Sequence, residues 1–593
     1  MAFRDKLILS LQIAAWFKLS RAGKLSRELA FDPGHRGMTW RALFETFERI
    51  RNEAASEEIA RSFRPCGGTG ASMDAVQLSN VFQLASNLED GGFFGREFVD
   101  EVLEMLAREK EFAESVLPAE VVLLMLEVAD IRPGERIYTP FDNCLQLSIA
   151  VEEQSGGNAP VFAEFPEASA LPWLLRLFYG SASAIKEGDP VLAPSYFSGE
   201  RTLDRFDTAL AVLPFSKKYA RFDAGRDPLE RFPEATASAG VLALRHILAQ
   251  TKKRAVAAVA NSLLFSSGAE RALREHLVDT GKVEAVIGLP SALLAGSSVA
   301  FSLLVLKLDA PSETIRFIDG ATEDAEGLFF TKDGKGRATL SGWRRMADLY
   351  RSGATDRHAN QAARSEVRPP EYRLEVSRYC LSEQERAVET YLFSRDTKVL
   401  SEIAEIIRPV PPLRQDAGEE GAEALEVEVS SLPKYGPVKP AGKQVFLREK
   451  DLENDKGRSF LRTGDVVLAV KGRTGRVGII GTGVSEARTP PWVASQSCLV
   501  LRVRNADAVP PEYLYMYLRS DLGKSLMKML TSGMLVPLIH LRQLSGIPVV
   551  IPSAEKKRQA LESYLRQSEL ERSIAEARNE QSRLLDALFS GGD

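Results

Sequence analysis

The 593-residue sequence is poor in the residues that build disulfide or metal frameworks, with only four cysteines and five histidines. Cys66, Cys144, Cys380 and Cys498 lie far apart and form no CxxC pair, so neither a disulfide scaffold nor a zinc site is expected. No run of 18 apolar residues occurs, so no hydrophobic membrane-spanning helix and no membrane partner are expected. The N-terminal "MAFRDKLILSLQIAAWFKLSRAGK" mixes charges into an amphipathic stretch without a signal-peptide cleavage pattern, and the expected setting is cytoplasmic. A Walker-type phosphate loop and a nuclease-like acidic–lysine cluster are both missing, so translocation or cleavage is expected only from a separate effector. A net positive charge is missing too. The formal balance is −5, which taken alone argues against a polyanionic partner.

That average hides an asymmetry. Residues 431–545 hold 18 Lys/Arg against 9 Asp/Glu. A basic module on an acidic body can dock on nucleic acid. Hydrophobic periodicity divides the chain further. Residues 1–115 repeat apolar positions at three and four and read as a helical N-terminal domain. Residues 116–330 alternate helices with short Val/Leu/Ala-rich runs such as "FDTALAVL", "AVAAVAN", "VEAVIGLP" and "AFSLLVLKLD". Continuous apolar strands between helices imply an α/β unit with a mostly parallel sheet covered on both faces. In "SSGAERALREHLVDTG", Ser267 and Glu270 have capping-box spacing and Gly281 stops the helix. Residues 331–395 read as a helical connector. The acidic stretch 411–430 reads as a mobile surface insertion. Residues 396–552 carry short strands and turns plus a helical stretch, an α+β unit. Residues 553–593 form one long helix, with Leu570, Ile574, Ala577, Gln581, Leu584 and Leu588 along a narrow seam suited to another helix.

Long stretches resemble a known family. "SVLPAEVVLLMLEVADIRPGERIYTP" and "LLFSSGAERALREHLVDTGKVEAVIGLPSALLAGSSVAFSLLVLKLD" resemble the modification subunit of type I restriction–modification systems, an N6-adenine DNA methyltransferase. "GDVVLAVKGRTGRVGII", "PPEYLYMYLRS" and "LSGIPVVIPSAEKKRQ" resemble, in that order, a target-recognition domain of the specificity subunit with its spacer helix. The resemblance implies a Rossmann-like methyltransferase core at 116–330, fused to a single DNA-recognition domain at 396–552 and a spacer or dimerisation helix at 553–593.

It also implies two functional loops, and both are degenerate here. The family's S-adenosylmethionine loop, Asp-Pro-x-Cys-Gly-Ser-Gly, aligns with Thr139, Pro140, Phe141, Asp142, Asn143, Cys144 and Leu145. Pro140 is kept, but Asn143 and Leu145 replace the glycines that let backbone approach the cofactor. Glu164 stands where the family holds the cofactor ribose. The base-gripping Asn-Pro-Pro-Phe aligns with Val212, Leu213, Pro214 and Phe215. Its role is to hold a flipped adenine. Val212 has no acceptor for the adenine amine. Asp142 and Asp207 are the nearby polar groups, with Asp207 assigned to the strand start.

The expectation is therefore a DNA-recognition and scaffold subunit of a restriction-modification or phage-defence complex, with no cofactor and no methyl transfer. Two alternatives stay open: an active enzyme using S-adenosylmethionine, and a protein-interaction scaffold. The expected partners are double-stranded DNA, and a second copy or another helix-bearing subunit. The expected DNA contacts are Lys471, Arg473 and Arg476 in a glycine-bearing turn, Arg488 and Trp492 in a second loop, and Lys524 and Lys528 on one helix face.

Overall fold

A computed structural model describes residues 3–589, apart from 32–38, 66–74, 167, 221–226, 368–370, 382, 414–420, 439–442, 473, 482–489, 532–538 and 540. Two compact units result, Met1–Cys380 and Leu381–Asp593.

The first unit is built on a nine-stranded sheet. Its strands are β1 (Ile137–Pro140), β2 (Val161–Phe165), β3 (Ala184–Glu187), β4 (Phe206–Val212), β5 (Thr251–Ala260), β6 (Val283–Gly288), β7 (Phe301–Lys307), β8 (Thr314–Asp319) and, after a separate hairpin of β9 (Thr331–Lys332) and β10 (Ala338–Thr339), β11 (Ala359–Ala363). The order is β11-β8-β6-β7-β5-β4-β1-β2-β3. β1 to β5 run parallel, as do β6 and β8. β7 enters antiparallel between β5 and β6, and β11 is antiparallel at one edge. The apolar runs of β4 to β7 are buried on both faces because helices cover them.

Four expectations change here. The first 115 residues do not stand apart. Their helices share one hydrophobic cluster with Ala163 and Phe165 of β2 and with the helix Leu171–Tyr179. The connector expected at 331–395 is divided between the units, because β11 completes the large sheet. The helix before β5 stops at Gln250, and Thr251–Arg254 belong to the strand. The apolar run "AVAAVAN" marks only the rest of the strand, since Lys252 and Lys253 are polar and exposed where β5 begins. The helix after β5 begins at Ala269 behind Gly268, one residue later than the Ser267 capping box implied.

The second unit holds three small sheets. β13 (Ala404–Ile407), β19 (Cys498–Val503), β16 (Val466–Ala469) and β17 (Val477–Ile479) form an antiparallel four-stranded sheet in that order, with β17 at one edge. β15 (Lys443–Leu447), β14 (Ala422–Val427) and β18 (Trp492–Ala494) form the second, and β12 (Thr397–Val399) pairs with β20 (Pro548–Val550) in the third. β14 lies inside the acidic stretch expected to be mobile. Ala424 and Val427 are fully buried, and Glu426 is buried too, paired with Lys443 of β15 at 2.7 Å, while Glu423 is exposed. The long helix spans Ala554–Phe589, and Leu570, Ile574 and Leu584 of its seam are exposed. No described helix is long and apolar enough to cross a membrane.

Candidate cofactor and base sites

In open parallel sheets, ligands meet the carboxyl ends of the strands. Here the ends of β1, β2 and β4 present the three segments singled out by sequence.

The turn after β1 keeps a glycine-like path without glycine. Leu145 has φ 52°, a left-handed conformation that is costly for a branched side chain. Its side chain is fully buried beside Cys144, in the cluster that joins β2 to the N-terminal helices. The next helix, Gln146–Ser155, starts at once. A helix N-terminus with free N–H groups is a ready anion site. In this chain Asp142 fills it: one carboxylate oxygen accepts from Ser148 N at 2.9 Å and Ser148 Oγ at 2.7 Å. Thr139 Oγ1 lies 2.8 Å from the same Ser148 Oγ.

Burial pushes the Asp142 carboxyl up to about 6, although hydrogen bonds from Ser148 pull it down. A carboxyl raised in the folded state costs stability as pH climbs from about 4, where the unfolded group ionises, to about 6. Asp142→Asn keeps an oxygen for the Ser148 donors. In urea unfolding the variant should match the wild type near pH 4 and exceed it by about 1–3 kcal/mol near neutral pH. Equal stabilities at both ends would contradict this.

Glu164, near the end of β2, is fully buried. One carboxylate oxygen accepts from Tyr138 Oη at 2.5 Å, the other from Ser195 N at 2.5 Å. Tyr138 Oη also meets His246 Nε2 at 2.9 Å, and His246 Nδ1 lies 2.9 Å from an Arg231 guanidinium nitrogen. Arginine only donates, so Nδ1 accepts and the neutral imidazole carries its proton on Nε2. The proton order then runs one way: Arg231 to His246, His246 to Tyr138, Tyr138 to an ionised Glu164. Burial acts in the same sense on the histidine, holding His246 well below its ordinary value, with Arg231 adding to the effect. Burial pushes Glu164 the other way, up from the ordinary range, while Tyr138 and Ser195 pull it down.

Arg231 closes the chain. It pairs with Asp227 at 3.1 Å and donates to the carbonyls of Pro190 and Val191 at 2.9 and 2.7 Å. The segment that ends in Ser195 is thereby pressed over Glu164. Gly188 permits the approach, since a Cβ there would lie 2.1 Å from Ser195 Oγ and 2.6 Å from Ala193 O.

The base-gripping segment is also engaged internally. Val212 and Leu213 are buried, and Leu213 N donates to Ala258 O at 3.1 Å. The half-buried Phe215 ring packs on Phe301 with centroids 5.6 Å apart. Glu114 accepts from Ser216 Oγ at 2.8 Å and Ser297 Oγ at 3.0 Å, which ties this turn to the one between β6 and β7. Asp207 serves the opposite strand end, accepting from Arg136 N at 3.0 Å.

Three features of the chain stand at the positions expected for S-adenosylmethionine. Each Glu164 oxygen accepts one hydrogen bond from the chain, from Tyr138 and from Ser195. The helix N-terminus beside the expected cofactor loop holds an internal carboxylate, and a buried leucine occupies the left-handed position. Sequence reasoning singled out Glu164 and Leu145 but not Tyr138, His246, Arg231 or Asp227. One signal was available: His246 is a lone histidine in the apolar helix "AGVLALRHILAQ".

The DNA-contact residues divide differently. Arg473 and Arg488 lie outside the described residues. Lys471 is exposed, and Lys524 and Lys528 are exposed on one helix, with Lys524 paired to Asp521 at 3.1 Å. Arg476 is half-buried and donates to Val429 O at 3.3 Å, so it braces the fold. Trp492 is 3% exposed in a hydrophobic cluster at the start of β18, where its indole cannot reach a base. The double proline before it directs the chain into the sheet. No group of His, Cys, Asp and Glu suited to a metal occurs among the described residues.

Comparison with known proteins bears on the first unit. Residues 174–387 match the family model described as N-6 DNA Methylase. The methylase subunit of type I restriction enzyme MpnII from Mycoplasma pneumoniae is 33% identical over 155 residues. That match spans 26% of this chain and 26% of the relative's length. Among solved structures, the methyltransferase subunit of a type I restriction-modification system from Streptococcus thermophilus has TM-score 0.49 at 19% identity, covering 62% of this chain and 80% of that one. The type IIG restriction endonuclease BpuSI has TM-score 0.44 at 12% identity, covering 95% of this chain and 72% of that one. The chain thus carries an N-6 DNA methylase domain and has homologues among type I restriction–modification methylase subunits.

Proposed function

We propose that this chain is a DNA-recognition and scaffold subunit of a restriction–modification-like complex, and that its methylase domain does not transfer methyl groups. The observation that carries the second half is Glu164: the carboxylate needed for the cofactor ribose is fully buried and bonded to Tyr138 and Ser195. Opening that site would break a continuous buried chain of polar contacts, and each broken partner would then lack compensation. Val212 and the Phe215–Phe301 packing add a second obstacle, at the base site.

What supports the first half is the local basic charge of residues 431–545 on an acidic chain, with Lys471, Lys524 and Lys528 exposed. The exposed seam of the long helix suits a second copy or another helix-bearing subunit. One recognition unit per chain then reads one half-site. Calorimetry with S-adenosylmethionine tests the inactive reading. Anisotropy with labelled duplex pools at several salt concentrations tests the recognition reading, which expects affinity to fall steeply with salt.

A further inference from the structure

We infer that Lys434, Tyr435 and Arg519 form a preorganised contact for duplex DNA, an inference that rests on the recognition reading above. None of the three was expected from the sequence. Tyr435 is 43% exposed, yet it is not loose. The Arg519 guanidinium lies 5.0 Å from its ring centroid and 4.9 Å from the centroid of Tyr515, so it is wedged between the two rings. Tyr515 is fully buried and hydrogen-bonded to Arg519, and its hydroxyl donates to Gly436 O at 3.3 Å. Lys434 Nζ sits 5.6 Å from the Tyr435 centroid.

The backbone is fixed as well. Gly436 has φ 77°, and a Cβ there would meet Glu571 and Ser568 of the long helix at 3.6–3.9 Å. Just beyond, Val438 N donates to Ile479 O at 2.9 Å, which docks this turn on the edge strand β17. β17 begins one residue after Arg476, so the turn shares its sheet edge with the Lys471–Arg476 loop.

An aromatic ring exposed but held between cations loses little freedom on binding. The two cations suit phosphates, and the ring offers its exposed part to sugar or base. This turn takes over from Arg476 and Trp492, which the fold withdraws from the surface.

The test is fluorescence anisotropy of the full chain on a labelled random duplex pool across a salt series. Lys434→Ala should weaken binding several-fold across all sequences and lower the salt slope by about one unit. Tyr435→Ala should weaken binding several-fold by removing the ring from the sugar–phosphate surface, whereas Tyr435→Phe should bind like the wild type. Circular dichroism of each variant checks that the fold is intact. If both alanine variants bind like the wild type while Lys471→Ala binds more weakly, the recognition reading stands and this contact is overturned. If the wild type itself fails to bind the pool, both are overturned.

Discussion

Arg231→Ala is expected to destabilise the first unit by about 3–5 kcal/mol, the usual result of stripping one partner from a buried ion pair. The variant strands Asp227, fully buried on its side chain, and removes donors from Pro190 O, Val191 O and His246 Nδ1. Native-state hydrogen exchange at β1 and β2 reads the loss directly. Arg231→Lys should recover only part of it. A lysine is a point charge and cannot serve a carboxylate, two carbonyls and an imidazole in a fixed fork. Full recovery with lysine would show that charge alone holds the segment down.

Tyr138→Phe should cost about 2–3 kcal/mol in the same measurement, because hydrogen bonds to charged groups are the stronger ones. The ring stays, stacked on Phe206 at 4.8 Å, so packing hardly changes. What is lost is the hydroxyl that donates to Glu164 and faces His246. Pairing this change with Glu164→Leu should cost less than the two single losses added together, since both act on one hydrogen bond. Additive losses would mean that Tyr138 and Glu164 act independently.

These residues mark the limit of what the sequence made legible. The alternation of apolar runs with helices revealed the parallel sheet because burial on both faces leaves a continuous hydrophobic signature. β14 escaped, since its glutamates made a half-buried strand look like a solvated tail. Glu164 and Leu145 were found by position, yet position alone read Glu164 as an available carboxylate. Only the folded chain reveals Ser195 and Tyr138 on its two oxygens, from residues 31 and 26 positions away. Trp492 and Arg476 failed for the converse reason. Each sits in a loop-like sequence, and burial depends on partners far along the chain, such as Val429 for Arg476.

The turn after β1 keeps a left-handed residue at Leu145. The domain's contacts turn inward. Asp142 holds the helix N-terminus and Phe215 holds Phe301. Glu114 joins the turn after β4 to the turn between β6 and β7.

On this proposal the chain itself fills the place of the cofactor. Titration calorimetry of the full chain with S-adenosylmethionine, alone and with duplex DNA present, tests it most directly. No heat of binding is expected in either titration. Saturable binding at one site per chain would contradict it, because that would require Glu164 to exchange Tyr138 and Ser195 for the cofactor.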